Sequence, residues 1–278
     1  MNKKAKSFPL PLSRVMGRSS FERQVRTSAE RSGSPSAVGM GAMKNPVQTA
    51  GGNVQTVMPE VARHKVPVSR SLQSMVERLA MAGIRDKVVL AAIGQVPRHL
   101  FVDPGLSGHA YSDVALPIGA HQTISKPSTV AKMMEALRMG QDAPLMQKIL
   151  EIGTGCGYQA AILAKIAKEV YSVERIKSLH ALARHNLRSL RIANLRLHYG
   201  DGMLGLPQVA PFDGIIIAAA GLEIPDALFD QLAVGGRLIA PVGGEQQTLQ
   251  LVRRVAKNKW ERMVVDDCHF VPLRGGTI

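Results

Sequence analysis

A chain of 278 residues with 45% hydrophobic content can bury a substantial core, and no apolar run approaches the roughly 20 residues of a membrane span. The formal net charge is +14, and residues 1–65 hold eleven Lys or Arg against Glu22, Glu30 and Glu60, a local net of +8. Two cysteines, Cys156 and Cys268, exclude a disulfide framework and suggest a reducing, cytoplasmic setting.

Residues 1–66 show no sustained periodicity. Small residues, Gly, Ser and Pro dominate Arg31 to Gly52, which predicts a disordered basic extension able at most to touch a polyanion weakly. Pro9, Pro11 and Ser13 interrupt any apolar signal core, although the Arg- and Ser-rich start has the composition of a transit peptide. A folded domain is expected over 67–278. Leu72, Met75, Val76, Leu79 and Ala80 recur at helical spacing up to Gly83. A second helix is expected over Lys87 to Ile93. A third runs from Pro127, suited to a first turn, to Leu137.

From there strands and helices alternate. Strands are expected at Lys148–Ile152, Val170–Val173, Leu195–His198, Gly214–Ala218 and Arg237–Pro241. The intervening helices are Gln159–Ile166, Ile176–Leu190 and Pro225–Leu232. Alternation of this kind predicts an α/β fold, a Rossmann-like doubly wound and mostly parallel sheet with helices on both faces. The Gly243-Gly244 turn sends the chain back antiparallel, into strands near Leu249–Val255 and Met263–Val271.

The segment Glu151-Ile152-Gly153-Thr154-Gly155-Cys156-Gly157-Tyr158 sets three alternate glycines between a strand and a helix. Glycines allow a tight turn and close backbone approach to a ligand. A dinucleotide-binding turn would place its third glycine at position 158, which here is Tyr158, so the spacing argues against a nicotinamide cofactor. Glu174 ends the next strand, 21 residues after Gly153, where a carboxylate can accept both ribose hydroxyls. Asp201, in Gly200-Asp201-Gly202, is placed to bind an adenine amino group, and Gly202 to lie against the ring. The acidic lining of Glu151, Glu174 and Asp201 suits a cationic sulfonium. These features together point to S-adenosylmethionine, bound through Glu151, Gly153, Gly155, Gly157, Glu174, Asp201 and Gly202. No metal site is expected, because the histidines and the two cysteines show no zinc-like spacing. Cys156 reads as a small packing residue.

The chain resembles protein-L-isoaspartate O-methyltransferases from about Ser71 to Leu273. The resemblance rests on Val96-Pro97-Arg98-His99-Leu100-Phe101-Val102, Ala115-Leu116-Pro117-Ile118-Gly119, Gln122-Thr123-Ile124-Ser125, the glycine turn, Ser172-Val173-Glu174-Arg175, the Gly-Asp-Gly and Phe270-Val271-Pro272-Leu273. The Thr-Ile-Ser segment is the most distinctive, since methyltransferases at large do not share it. The resemblance implies methyl transfer to the free carboxylate of L-isoaspartyl and D-aspartyl residues in damaged proteins or peptides, which initiates their repair. A monomer is expected. It maps the catalytic serine onto Ser125 and adds Thr123, Ile124 and Ser125 to the cofactor contacts. Leu116, Pro117, Ile118 and Val271 become the peptide-facing wall. Lys126 and Ser128 depart from the usual family pattern and bear on substrate affinity.

The chemistry needs few catalytic groups. A carboxylate, with a reference pKa near 4, is already ionised at neutral pH and needs no general base. Ser125 precedes Pro127, so its hydroxyl either bonds the substrate carboxylate or caps the helix. The rival reading, methylation of nucleic acid, lacks the Asn/Asp-Pro-Pro-aromatic motif: the corresponding strand runs Asp213-Gly214-Ile215-Ile216-Ile217-Ala218.

Overall fold

The computed structural model describes residues 68–140 and 145–278. The basic extension expected over 1–66 lies outside the described residues.

Helix α1 (Val68–Met81) buries Leu72, Met75 and Leu79, one stripe of a 3.6-residue period. Helix α2 (Lys87–Ile93) starts at Asp86, whose carboxylate accepts from the Val88 and Val89 amides. Such a cap contributes about 1 kcal/mol. The second oxygen of Asp86 accepts from Nε of buried Arg138 at 2.8 Å, in the last turn of α3 (Pro127–Arg138). One side chain therefore begins α2 and holds it against α3. Helix α2 keeps the limits expected from sequence, and α3 runs one residue further.

Between α2 and α3 lie 3-10 turns at Arg98–Phe101 and Pro104–His109 and a hairpin of two short antiparallel strands, β1 (Leu116–Gly119) and β2 (Gln122–Ile124). Strands of four and three residues are too short to show a period, so no sequence pattern marks them. The connection places Gly119, Ala120 and His121 all at positive φ.

The main sheet comprises β3 (Met146–Ile152), β4 (Ala167–Glu174), β5 (Leu195–Tyr199), β6 (Phe212–Ile217), β7 (Leu232–Gly243), β8 (Gln247–Ala256) and β9 (Lys259–Cys268). Its spatial order is β5-β4-β3-β6-β7-β8-β9. The first five strands in that order are parallel, and β8 and β9 pair antiparallel. The Rossmann-like fold is as expected. Helices α4 (Tyr158–Ile166) and α5 (Lys177–Leu187) cross over between β3, β4 and β5, and α6 (Asp226–Asp230) between β6 and β7. The chain enters the sheet at β3, winds outward to β5, then returns to the other side of β3. That reversal opens a crevice at the carboxyl ends of β3 and β6, where sheets of this type bind ligands.

Both sheet faces are buried. Ile149 and Ile216 pack with residues of α1 to α5, while Leu150, Ile152, Ile215 and Ile217 pack with Leu228 and Phe229 of α6. Two buried faces explain why Ile215-Ile216-Ile217 is continuously apolar rather than alternating. Strand β7 begins five residues earlier than expected. Phe212 pairs with Leu232 but Gly214 with Arg237, so β7 bulges by three residues, and Gly235 at φ +85° permits it. Only the regular part of β7 carried a strand pattern.

Candidate active site

A cavity of about 480 Å³ opens at the carboxyl ends of β3, β4 and β6. Its floor is the glycine turn. Gly153, Gly155 and Gly157 all have positive φ, at 92°, 56° and 91°, conformations that side chains disfavour. The Gly153 amide donates to the Val173 carbonyl at 2.9 Å, which ties the turn to the neighbouring strand.

Glu174 secures the other side. One carboxylate oxygen accepts from the Gly155 amide at 2.8 Å and the other from the Ile176 amide at 2.9 Å. Its side chain lines the cavity at 4% exposure. Ile152, Val173, Ile176 and Leu179 supply apolar wall nearby. Gly202 also lines it, and a Cβ there would collide with Cγ2 of Ile152.

The hairpin folds over this floor. Ile118, Thr123, Ile124 and Ser125 all line the cavity, and Cδ1 of Ile118 lies 3.1 Å from where a Cβ on Gly155 would stand. The Ser125 hydroxyl forms no hydrogen bond with any described residue. It does not cap α3: Lys126 occupies the N-cap position, with no side-chain cap bond. The amide and hydroxyl of Ser128 both go to Asp113, at 2.8 and 2.7 Å.

Five residues expected at the site do not line the cavity. Glu151 is wholly buried beneath the turn, because alternation along β3 turns it away from the crevice. The Ser172 hydroxyl donates to it, and Ser172 also meets the Thr154 hydroxyl at 2.5 Å. Desolvation pushes the Glu151 carboxyl up to about 8. Asp201 turns outward, its carboxylate accepting from the Met203 amide at 2.9 Å and the Gly276 amide at 2.6 Å. Gly157 serves helix packing: a Cβ would stand 2.9 Å from Cδ1 of Leu187 on α5. Leu116 belongs to the core and Pro117 faces solvent. Val271 does line the cavity.

A family model described as protein-L-isoaspartate(D-aspartate) O-methyltransferase (PCMT) matches residues 70–277. The chain belongs to this family. The protein-L-isoaspartate O-methyltransferase of Janthinobacterium sp. (strain Marseille) is 61% identical over 206 residues, 74% of this chain and 70% of that protein. The relative of the same name in Ralstonia nicotianae is 46% identical and covers 99% of this chain and 98% of its own. One solved protein-L-isoaspartate O-methyltransferase is 27% identical with a TM-score of 0.65, covering 73% of this chain and 66% of that one. A solved family member from Plasmodium falciparum, in complex with S-adenosyl-L-homocysteine, shares the fold at 24% identity and a TM-score of 0.64, over 73% of this chain and 98% of its own.

Three features of this family member escaped the sequence reading. The first is the tail. Pro272, Leu273, Arg274 and Ile278 close one side of the cavity. The tail is held by Leu273 N to Ala220 O at 2.7 Å, Ile278 N to Arg175 O at 2.9 Å and the Arg175 side chain to the Gly275 and Gly276 carbonyls. Its start lies in the Phe270-Val271-Pro272-Leu273 segment of the resemblance, but only Val271 was expected at the site. The second is Arg98, fully buried, whose guanidinium donates to the Ser125 and Val114 carbonyls. Nothing in its local sequence marks it as buried. The third is the enclosed string Glu151–Ser172–Thr154, whose members come from two strands and a turn. Cys156, 3% exposed, has its thiol pushed up to about 11 by burial, and so packs rather than reacts.

Proposed function

We propose that the chain methylates, at the expense of S-adenosylmethionine, the free carboxylate of L-isoaspartyl and D-aspartyl residues in damaged proteins and peptides, initiating their repair. The observation that carries this reading is a family match whose span, 70–277, takes in hairpin, glycine turn and tail, three segments that line one cavity.

The donor set fits S-adenosylmethionine. Glu174 offers carboxylate lone pairs to two ribose hydroxyls, and Gly202 and Gly153 leave bare backbone against a flat ring. Ile152, Val173, Ile176 and Leu179 give apolar contact. Thr123, Ile124 and Ser125 close the hairpin side, and Gly155 lies under Ile118. When bound, the group supplies an electrophilic methyl on a positively charged sulfur.

The protein's own task is orientation. The substrate carboxylate arrives ionised and gives up no proton, so no base is required, and the cavity needs only a donor such as the Ser125 hydroxyl to orient it. Ser125 donates to that carboxylate and aims it. Ile118 and Val271 flank the peptide. Orientation of this kind supplies roughly 7–11 kcal/mol in favourable intramolecular cases.

No helix among the described residues is long and apolar enough to cross a membrane. The protein acts as a cytoplasmic monomer with residues 67–278 as its catalytic domain. The basic extension over 1–66 makes no more than weak polyanion contact. The test is transfer of labelled methyl to an isoaspartyl peptide beside the matched normal aspartyl peptide. Labelling of the isoaspartyl peptide alone is expected. Equal labelling of both, or of neither, overturns the reading.

A further inference from the structure

Arg98 is the largest fully buried side chain among the described residues, at 0% exposure. It follows Pro97 in the first 3-10 turn, outside the cavity. Burying a cation is expensive unless it is paired. Among the described residues no carboxylate lies within ion-pairing distance of this one, and Asp113, the acid acting on it through space, is bonded to Ser128 instead.

What the guanidinium holds is backbone. Nη1 donates to the Ser125 carbonyl at 2.9 Å and Nη2 to the Val114 carbonyl at 3.1 Å. Those residues bracket the hairpin, one before β1 and one after β2. The same group lies 5.0 Å from the ring centroid of Tyr158, the first residue of α4 and the direct continuation of the glycine turn. A planar fork can span two carbonyls while stacking on a ring, and an ammonium cannot. One side chain thus connects the segment carrying Ser125 to the segment forming the cofactor floor.

We propose that Arg98 is a positioning residue for methyl transfer: it pinches both ends of the hairpin and stacks on Tyr158, fixing the Ser125 hydroxyl relative to the glycine turn. This rests on the role given to Ser125 above. Orientation is sensitive to small errors, since a 1 Å misplacement can cost on the order of 100-fold in rate. Arg98 acts only through Ser125, so its loss should not add to the loss of the Ser125 hydroxyl.

The experiment is a double-mutant cycle on turnover of an isoaspartyl peptide, with Arg98→Lys, Ser125→Ala and the pair. Arg98→Lys keeps the charge but bonds one carbonyl, and a fall in kcat of roughly 10- to 100-fold is expected. The pair should then be no more than about threefold slower than Ser125→Ala alone. Hydrogen exchange should quicken in residues 114–125 and stay unchanged in β3 and β6. Tyr158→Leu removes the ring yet leaves both carbonyl bonds, and should show the same non-additivity at smaller cost, which keeps the test available if Arg98→Lys fails to fold. Losses that multiply, or exchange that quickens throughout the sheet, reduce Arg98 to a core residue and overturn the proposal. A Ser125→Ala enzyme with full turnover overturns the Ser125 reading itself, and the proposal with it. Multiplying losses beside a slow Ser125→Ala overturn the proposal alone.

Discussion

The hydroxyl of Ser172 donates to the carboxyl of Glu151, and both side chains are sealed from solvent under the glycine turn. One Glu151 oxygen has no partner among the described residues. A carboxyl in that position titrates far above its ordinary value because its ionised form is poorly solvated.

That burial has a pH signature. The folded-state pKa of Glu151, about 8, exceeds its ordinary value of 4.5, so the folded state holds a proton that the unfolded state has released. Below about 4.5 both states are protonated and there is no penalty. Stability from this group is then lost as pH rises toward 8, by on the order of 5 kcal/mol, and the loss ends once both states are ionised. Glu151→Gln removes the titration. Denaturant unfolding at pH 5, 6, 7 and 8 should show a flatter profile for the variant than for the parent, with the difference growing toward pH 8. Parallel profiles would mean that Glu151 is ionised in the fold.

Ser125 gives a sharper contrast. Its hydroxyl is unengaged by any described residue at the cavity wall, while the neighbouring Lys126 occupies the N-cap position. Removing one hydrogen bond to a charged group costs about 1.5–3 kcal/mol, roughly a 10- to 150-fold loss. Ser125→Ala should therefore lower kcat for an isoaspartyl peptide by that factor and leave the melting temperature and the affinity for S-adenosylhomocysteine nearly unchanged. Normal turnover would return Ser125 to a spacer.

The two acids once expected to serve the cofactor alike should now part company. Glu174 lines the cavity, whereas Asp201 fastens the tail through the Gly276 amide. Calorimetric titration with S-adenosylhomocysteine should show Glu174→Gln weakened about tenfold or more, as charged acceptors are lost to two hydroxyls. Asp201→Asn should weaken binding only a few-fold, with faster dissociation as the tail loosens. Equal losses would place Asp201 in direct contact with the ligand.

The parallel α/β order was legible in the sequence because each strand is bounded by turn residues and each helix has an amphipathic or apolar run of sufficient length. The glycine turn was legible for a different reason: three positive-φ positions in five residues strongly favour glycine. What could not be read is orientation. Glu151 and Glu174 look equivalent as acids near strand ends, yet pleating turns one under the floor and the other into the cavity. The hairpin and tail were hidden because each is held by backbone carbonyls and amides, which no residue type reveals. Arg98 was hidden for the same reason, since its partners are the carbonyls of Val114 and Ser125.

Gly157 separates the two meanings of a glycine in this turn. It lies outside the cavity lining, adopts φ 91°, and a Cβ on it would press to 2.9 Å from Leu187 and 3.4 Å from Ala183. Gly157→Ala therefore meets both backbone strain and overpacking between α4 and α5, a combined cost of roughly 2–4 kcal/mol. Trimming Leu187 to Ala in the same chain relieves the clash but not the strain, so the double variant should be less destabilised than the sum of the two single changes. Chemical denaturation measures this, and S-adenosylhomocysteine affinity under folding conditions should stay within about threefold of the parent throughout. Loss of affinity at full stability would show that Gly157, like Gly155, serves the ligand directly and that its contact with α5 is incidental.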